Sequence, residues 1–244
     1  MSRCIFCHSR EGPFRTREHI LPESLGGGEW AILPVGLLCD RCQNCFGSEV
    51  EQQALDDYPF SFFRVFLGVP TKKGFAPWFR SWEGVIRASL RPGTLGYDPA
   101  PYFEEATQEG RKTQIRLLAH PQKPEMVCRF LLKMGLEVVA SDSPEDVFGT
   151  KFDAARNYAL SGSKKRPWWF LQCENMSAAS DCFSRGVSPR EWAENVRLEV
   201  ARLDQEQEVF HLRLLYLDLL VPLTTDIKPE LDDLPEPDYR LFWT

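Results

Sequence analysis

The chain has 244 residues, 43% of them hydrophobic, and a mass of 28.1 kDa, enough to bury a core without depending on cross-links. Lys plus Arg total 29 against 35 Asp plus Glu, a formal net charge of −6, which excludes a broadly cationic nucleic-acid coat and confines phosphate contact to local patches. The first residues form no apolar leader and no run of about 20 apolar residues occurs, so a cytoplasmic chain without a membrane span is expected.

Residues 1 to about 55 are rich in Cys, Gly and Pro and hold five of the eight cysteines, a distribution that favours a metal site in a reducing compartment over a disulfide framework. Cys4-x2-Cys7 and Cys39-x2-Cys42 are two equal knuckles, the arrangement that brings four thiolates around one tetrahedral zinc ion. One pair per knuckle completes the set, so Cys45 reads as a helix-face residue and His8 as a solvated turn residue. A four-thiolate ion has no open position for water, and any chemistry must lie elsewhere. Between the knuckles, Glu18 offers a hard oxygen suited to Mg2+ or Mn2+ beside the ring base His19. In an extended segment the two side chains point to opposite faces, one toward a metal and one toward an attacking water. Gly26-Gly27-Gly28 lacks the Lys-Ser/Thr of a phosphate-binding loop and reads as a turn between strands. Asp40 to Leu55, capped by Asp40, is expected to be helical.

Farther on, Val85–Leu90 and Thr113–Leu118 read as strands, and Glu125–Val139, with Met126, Phe130, Met134 and Val138 at a spacing of four, as a core helix. A second helix is expected over Pro144–Leu160. Trp168–Cys173 favours a strand, and Val196–Leu203 with Val209–Val221 favours a hairpin. Lys164, Lys165 and Arg166 precede Trp168 and Trp169; phosphate contact with base stacking and a charged loop entering a core strand fit this pattern equally. Asp226–Thr244 is acidic and contains prolines, as in an extended tail, with Tyr239, Leu241, Phe242 and Trp243 able to dock on the body.

Taken in order, Cys4-x2-Cys7, Glu18-His19-Ile20-x-Pro22, Leu25-Gly26-Gly27 and Leu38-Cys39-x2-Cys42-Gln43-Asn44 resemble the HNH endonucleases in their zinc-knuckle form, over about a fifth of the chain. The resemblance implies a fold of class α+β, with a zinc-stapled ββα-metal, treble-clef-like module at 1–55, a larger mixed α+β domain at 56–225 and the acidic tail at 226–244. It also implies a metal-dependent DNA endonuclease of bacterial type, with structural Zn2+ and a catalytic Mg2+ or Mn2+. His19 would be the general base and Glu18 a metal ligand, in a one-metal hydrolysis of the phosphodiester. The family's metal-binding Asn follows the last knuckle cysteine, where this chain has Gln43 and then Asn44; either carries the needed carbonyl oxygen. The usual last His of the motif is missing, with Glu49 and Glu51 as substitutes or as solvent-facing acids. Arg15 and Arg17 flank the site as phosphate contacts. The alternative is a catalytically weakened module that binds nucleic acid or a protein partner without cleavage. The resemblance leaves room for a homodimer, and for a protein partner on the larger domain.

Overall fold

The computed structural model describes residues 2–69, 74, 77–80, 84–89, 94–99, 119–162, 167–203, 207–225 and 239–244. The expected strand at Thr113–Leu118, the basic run Lys164, Lys165 and Arg166, and the tail up to residue 238 lie outside the described residues.

The N-terminal segment corrects the expected ββα-metal, treble-clef-like topology, because it is built almost wholly from helices and helical turns. Short 3-10 turns span Glu23–Leu25 and Glu29–Ala31. They are followed by α1 (Asp40–Phe46), a π turn at Gly47–Glu51, α2 (Gln52–Leu55) and, after Pro59, α3 (Phe60–Leu67). The expected strand pairing shrinks to one antiparallel bridge between His19 and Ile32. The cause lies in the flanking residues. Pro22 cannot donate to a ladder, and Gly26 takes a left-handed turn at φ 80°, where a Cβ would meet Trp192 Nε1 at 2.5 Å. A Cβ on Gly27 would lie 1.7 Å from the Leu21 carbonyl oxygen, so the backbone closes on itself where a hairpin would extend.

The mixed α+β architecture of the rest is borne out. A small antiparallel sheet holds β1 (Trp78–Arg80), β2 (Gly84–Ala88) and β3 (Leu95–Pro99). Helix α4 (Pro124–Asp142) covers the expected core helix and adds nearly a turn at its C-terminal end. The helix expected at 144–160 is broken: two 3-10 turns, Asp146–Phe148 and Thr150–Phe152, precede α5 (Asp153–Ser161), because Gly149 between them is extended at ψ 145°. A five-stranded antiparallel sheet follows, ordered β5-β6-β7-β4-β8. Its strands are β4 (Trp169–Glu174), β5 (Val196–Arg202), β6 (Glu208–Leu214), β7 (Leu217–Pro222) and β8 (Tyr239–Trp243), with α6 (Met176–Arg185) and α7 (Pro189–Glu194) after β4. The expected hairpin is thus a meander, since Leu215 at φ 55° splits the second run into two strands.

Alternation puts Phe210, Leu212 and Leu214 of β6 and Leu217, Leu219 and Val221 of β7 on one fully buried face. Helix α4 packs on that face; a Cβ on its Gly135 would sit 2.7 Å from Phe210 and Leu223. The opposite side of α4 receives the N-terminal segment through Phe46, Phe60 and Phe130, all essentially inaccessible to solvent, with Phe60 edge-on to Phe130 at 5.2 Å. Each such phenylalanine contributes roughly 1.5–3 kcal/mol by burial. One helix therefore supports both the sheet and the wall of the N-terminal cavity.

Candidate metal centre and adjoining cavity

Cys39 caps α1, its Sγ accepting the Cys42 N–H at 3.5 Å, so the second knuckle is the first turn of a helix. The first knuckle is a tight turn closed by His8 N–H on the Cys4 carbonyl at 2.9 Å. It is held to the loop before Cys39 by Arg3 N–H on Gly36 O and Ile5 N–H on Leu37 O. Together they bring the sulfurs of Cys4, Cys7, Cys39 and Cys42 within 4.8 Å of one another, with Cys7 and Cys39 at 3.7 Å. A zinc–sulfur bond of about 2.3 Å gives a tetrahedral edge of about 3.8 Å. The set therefore fits a structural zinc site. Packed this closely, the thiols do not ionise together unaided: a hydrogen bond from Cys42 pulls Cys4 down to about 4, the same contact pushes Cys42 far up, and burial raises Cys39. Cys45, half-buried, is outside the group, and His8 lies edge-on to Phe148 at 5.7 Å. From the other side, Arg156 of α5 donates from Nε to the Ile5 carbonyl at 2.6 Å, inside the first knuckle.

A cavity of about 740 Å³ opens beside this centre, and Glu18, His19 and Gln43 all line it. The bridge at His19 places them: Leu33 N–H donates to Glu18 O at 3.0 Å and Ile20 N–H to Ala31 O at 2.7 Å, fixing the segment against residues 31–33. His19 is partly exposed, with Nε2 3.7 Å from Glu23 Oε1 and a buried Nδ1 without a partner. Gln43 donates from Nε2 to the Arg17 carbonyl at 3.3 Å, which sets its amide orientation and leaves Oε1 buried with no donor. Asn44, the other expected carbonyl donor, is exposed and does not line the cavity. Glu18 is only 6% exposed, and its Oε1 lies 2.5 Å from Lys133 Nζ of α4.

Arg17 lines the cavity while paired with Glu29; Arg15 stands apart, highly exposed, with Nε 3.6 Å from Asp40. Among the described residues, no second group of three or more His, Cys, Asp or Glu gathers its ligand atoms as closely as the cysteines do.

Sequence reasoning missed Lys133, Arg64 and Glu23. Lys133 is fully buried within a helix read only for its apolar stripe; the visible signal was a Lys and a Glu at i and i+4, Lys133 and Glu137, in an otherwise apolar stretch. Arg64, which donates to Leu55 O at 3.1 Å and pairs with Asp56 at 3.3 Å, reaches the cavity from α3. Glu51, and not the exposed Glu49, is the acid of the π turn that lines it. No helix among the described residues is long and apolar enough to cross a membrane. Comparison with curated proteins and with solved structures gives no match. Residues 4–59, which hold both knuckles, Glu18, His19 and Gln43, match the family model described as HNH endonuclease.

Proposed function

We propose that the cavity is the active site of a metal-dependent nuclease that hydrolyses phosphodiester bonds in DNA, with His19 as general base. The observation that carries this reading is the convergence of His19, Glu18 and Gln43 on one cavity beside a four-cysteine centre, within the segment matched by the HNH endonuclease model. The residues fit a divalent cation. Glu18 and Gln43 are hard oxygen donors that line the same cavity, and the buried Gln43 Oε1 lacks any other partner. When bound, such an ion supplies positive charge against the phosphate and the leaving 3′ oxygen.

The chain's own groups supply the rest. His19, not tied by a short hydrogen bond, accepts a proton from the attacking water, and the nearby Glu23 carboxylate favours the imidazolium that results. Arg17 and Arg64 offer guanidinium groups at the cavity for phosphate oxygens. The cavity's ionised side chains are otherwise acidic, Glu18, Glu23 and Glu51, so a phosphodiester needs the cation to approach.

The test is nicking of supercoiled DNA by zinc-loaded protein with Mg2+ or Mn2+. His19→Ala is expected to lower the rate by about 10²–10⁴-fold with folding intact, and Gln43→Ala to raise the Mn2+ concentration needed. A folded, zinc-loaded wild type that binds DNA and releases no product with either ion would replace this reading with non-cleaving binding. That second reading draws on one observation, the hold of Lys133 on a Glu18 oxygen.

A further inference from the structure

Where the N-terminal segment meets α4, one ammonium faces three carboxylates. Lys133 Nζ lies 2.5 Å from Glu18 Oε1, 2.8 Å from Glu51 Oε1 and 3.1 Å from Glu137. Lys133 and Glu137 are both fully inaccessible to solvent. The ammonium donates to Glu18 and Glu137 and pairs with Glu51, and none of the Lys133 side chain reaches solvent. It cannot itself contact a substrate.

The cost of this arrangement argues that charge is needed there. Lys133 is flanked along α4 by Phe130, Leu131, Leu132, Met134 and Leu136, all buried, and an apolar side chain would fill the same space without the several kcal/mol of desolvation that a buried ion carries. Two of the three acids, Glu18 and Glu51, line the His19 cavity, and the third is one turn along α4. Lys133 touches each cavity acid through one named oxygen, Oε1. Each carboxylate has a second oxygen. Glu51 stands two helical turns beyond Gln43 on the continuous run α1, π turn and α2, so the ammonium ties the segment carrying Glu18 to the run carrying Gln43.

We infer that Lys133 is a positioning residue for the site proposed above: it grips Glu18 by one oxygen and orients the other for the divalent cation, so that a helix of the downstream region completes the N-terminal site. The inference rests on the nuclease reading for the identity of the cation's task, but its test does not need turnover. Outer partners that orient a ligand carboxylate typically set metal affinity by about 10–100-fold. Coulomb's law predicts the opposite sign for a lysine that merely neutralises charge, since removing a cation beside Glu18 would strengthen the attraction for a second cation. The direction of the change therefore separates the two roles.

The experiment is Mn2+ titration of the full zinc-loaded chain, followed by electron paramagnetic resonance, for wild type, the double variant Lys133→Met with Glu137→Met, and Glu49→Gln as an exposed control. The double variant replaces a buried pair by apolar side chains of similar volume, a change that proteins commonly tolerate. With zinc content and melting temperature retained, its Mn2+ dissociation constant is expected to rise about 10–100-fold, while Glu49→Gln binds as wild type. In a nicking assay the double variant should regain much of its rate at high Mn2+, a change in metal demand more than in kcat. If the methionine pair does not fold, Lys133→Gln with Glu137→Gln decides by the same titration. Unchanged or tighter Mn2+ binding in a folded variant overturns the inference, as does a wild type that binds no Mn2+. Weakened Mn2+ binding with no cleavage by any form upholds the role of Lys133 and overturns only the nuclease reading.

Discussion

Arg156 is 2% exposed and makes three separate contacts: Nε to the Ile5 carbonyl at 2.6 Å, Nη2 to the Val147 carbonyl at 2.5 Å, and an ion pair with Asp153. Its Arg156→Met variant leaves two carbonyls in a buried place without donors, each costing about 1–3 kcal/mol. A loss of about 2–4 kcal/mol in chemical denaturation is expected, with faster transfer of zinc to a chromogenic chelator because Ile5 lies inside the first knuckle; wild-type release rates would refute the clamp. No local rule in the sequence points to the Arg156 contact, because its partner Ile5 lies 151 residues away. Lys133 was hidden for the same reason. The cysteine ligands, by contrast, were legible because paired spacing is itself the geometry of a tetrahedral ion. Gln43 and Asn44 stood level in the sequence and separate in the structure, since adjacent helical residues diverge by about 100° and only Gln43 turns to the cavity.

Among the elements, long periodic runs were read well and short interrupted ones poorly. Helix α4 and strands β4 to β6 follow from apolar spacing, whereas Gly149 and Leu215 each divide a run that composition alone leaves whole. The hairpin expected between the knuckles failed because proline and glycine limits on pairing outweighed apolar alternation over so few residues. Within the five-stranded sheet, β6 and β7 share a charged pairing that offers a measure of their contribution. His211 Nε2 lies 2.6 Å from Asp218 Oδ1, and Arg213 Nε donates to the same oxygen at 2.7 Å. Burial alone would raise the Asp218 carboxyl, but these two partners outweigh it and hold it below its ordinary value of 3.8. Its folded pKa is depressed relative to the unfolded chain, so this contribution is complete above about pH 4 and is lost as pH falls through the folded value. Asp218→Asn is expected to cost about 1–2 kcal/mol at pH 7 and to flatten the melting temperature's dependence on pH below 4. An unchanged acid limb in differential scanning calorimetry would show that the pairing contributes nothing.

At the scale of the whole molecule, the segment that carries the zinc site and the cavity is joined to the remainder by contacts spread over the chain. Tyr58 donates to Glu174 at 2.9 Å, Trp192 Nε1 to the Leu25 carbonyl at 3.2 Å, Lys133 to Glu18 and Arg156 to Ile5. The sequence suggested a module and a separate larger domain, since the compositional shift after the cysteines is real; it does not disclose contacts made by single polar side chains across more than a hundred residues. The net charge of −6 leads to the expectation of local basic patches only; at the cavity, Arg17 is paired with Glu29 and Arg64 with Asp56.

The span of the Arg156 contact bears on the order of assembly. Loop closure over 151 residues is slow compared with forming α4 or a neighbouring hairpin. The thiolate centre should therefore acquire its metal late, after the sheet and α4 have consolidated, although it stands first in the chain. In stopped-flow refolding with a zinc-sensitive dye, tryptophan fluorescence should recover ahead of metal uptake; simultaneous or reversed phases would mean that the ion nucleates the fold.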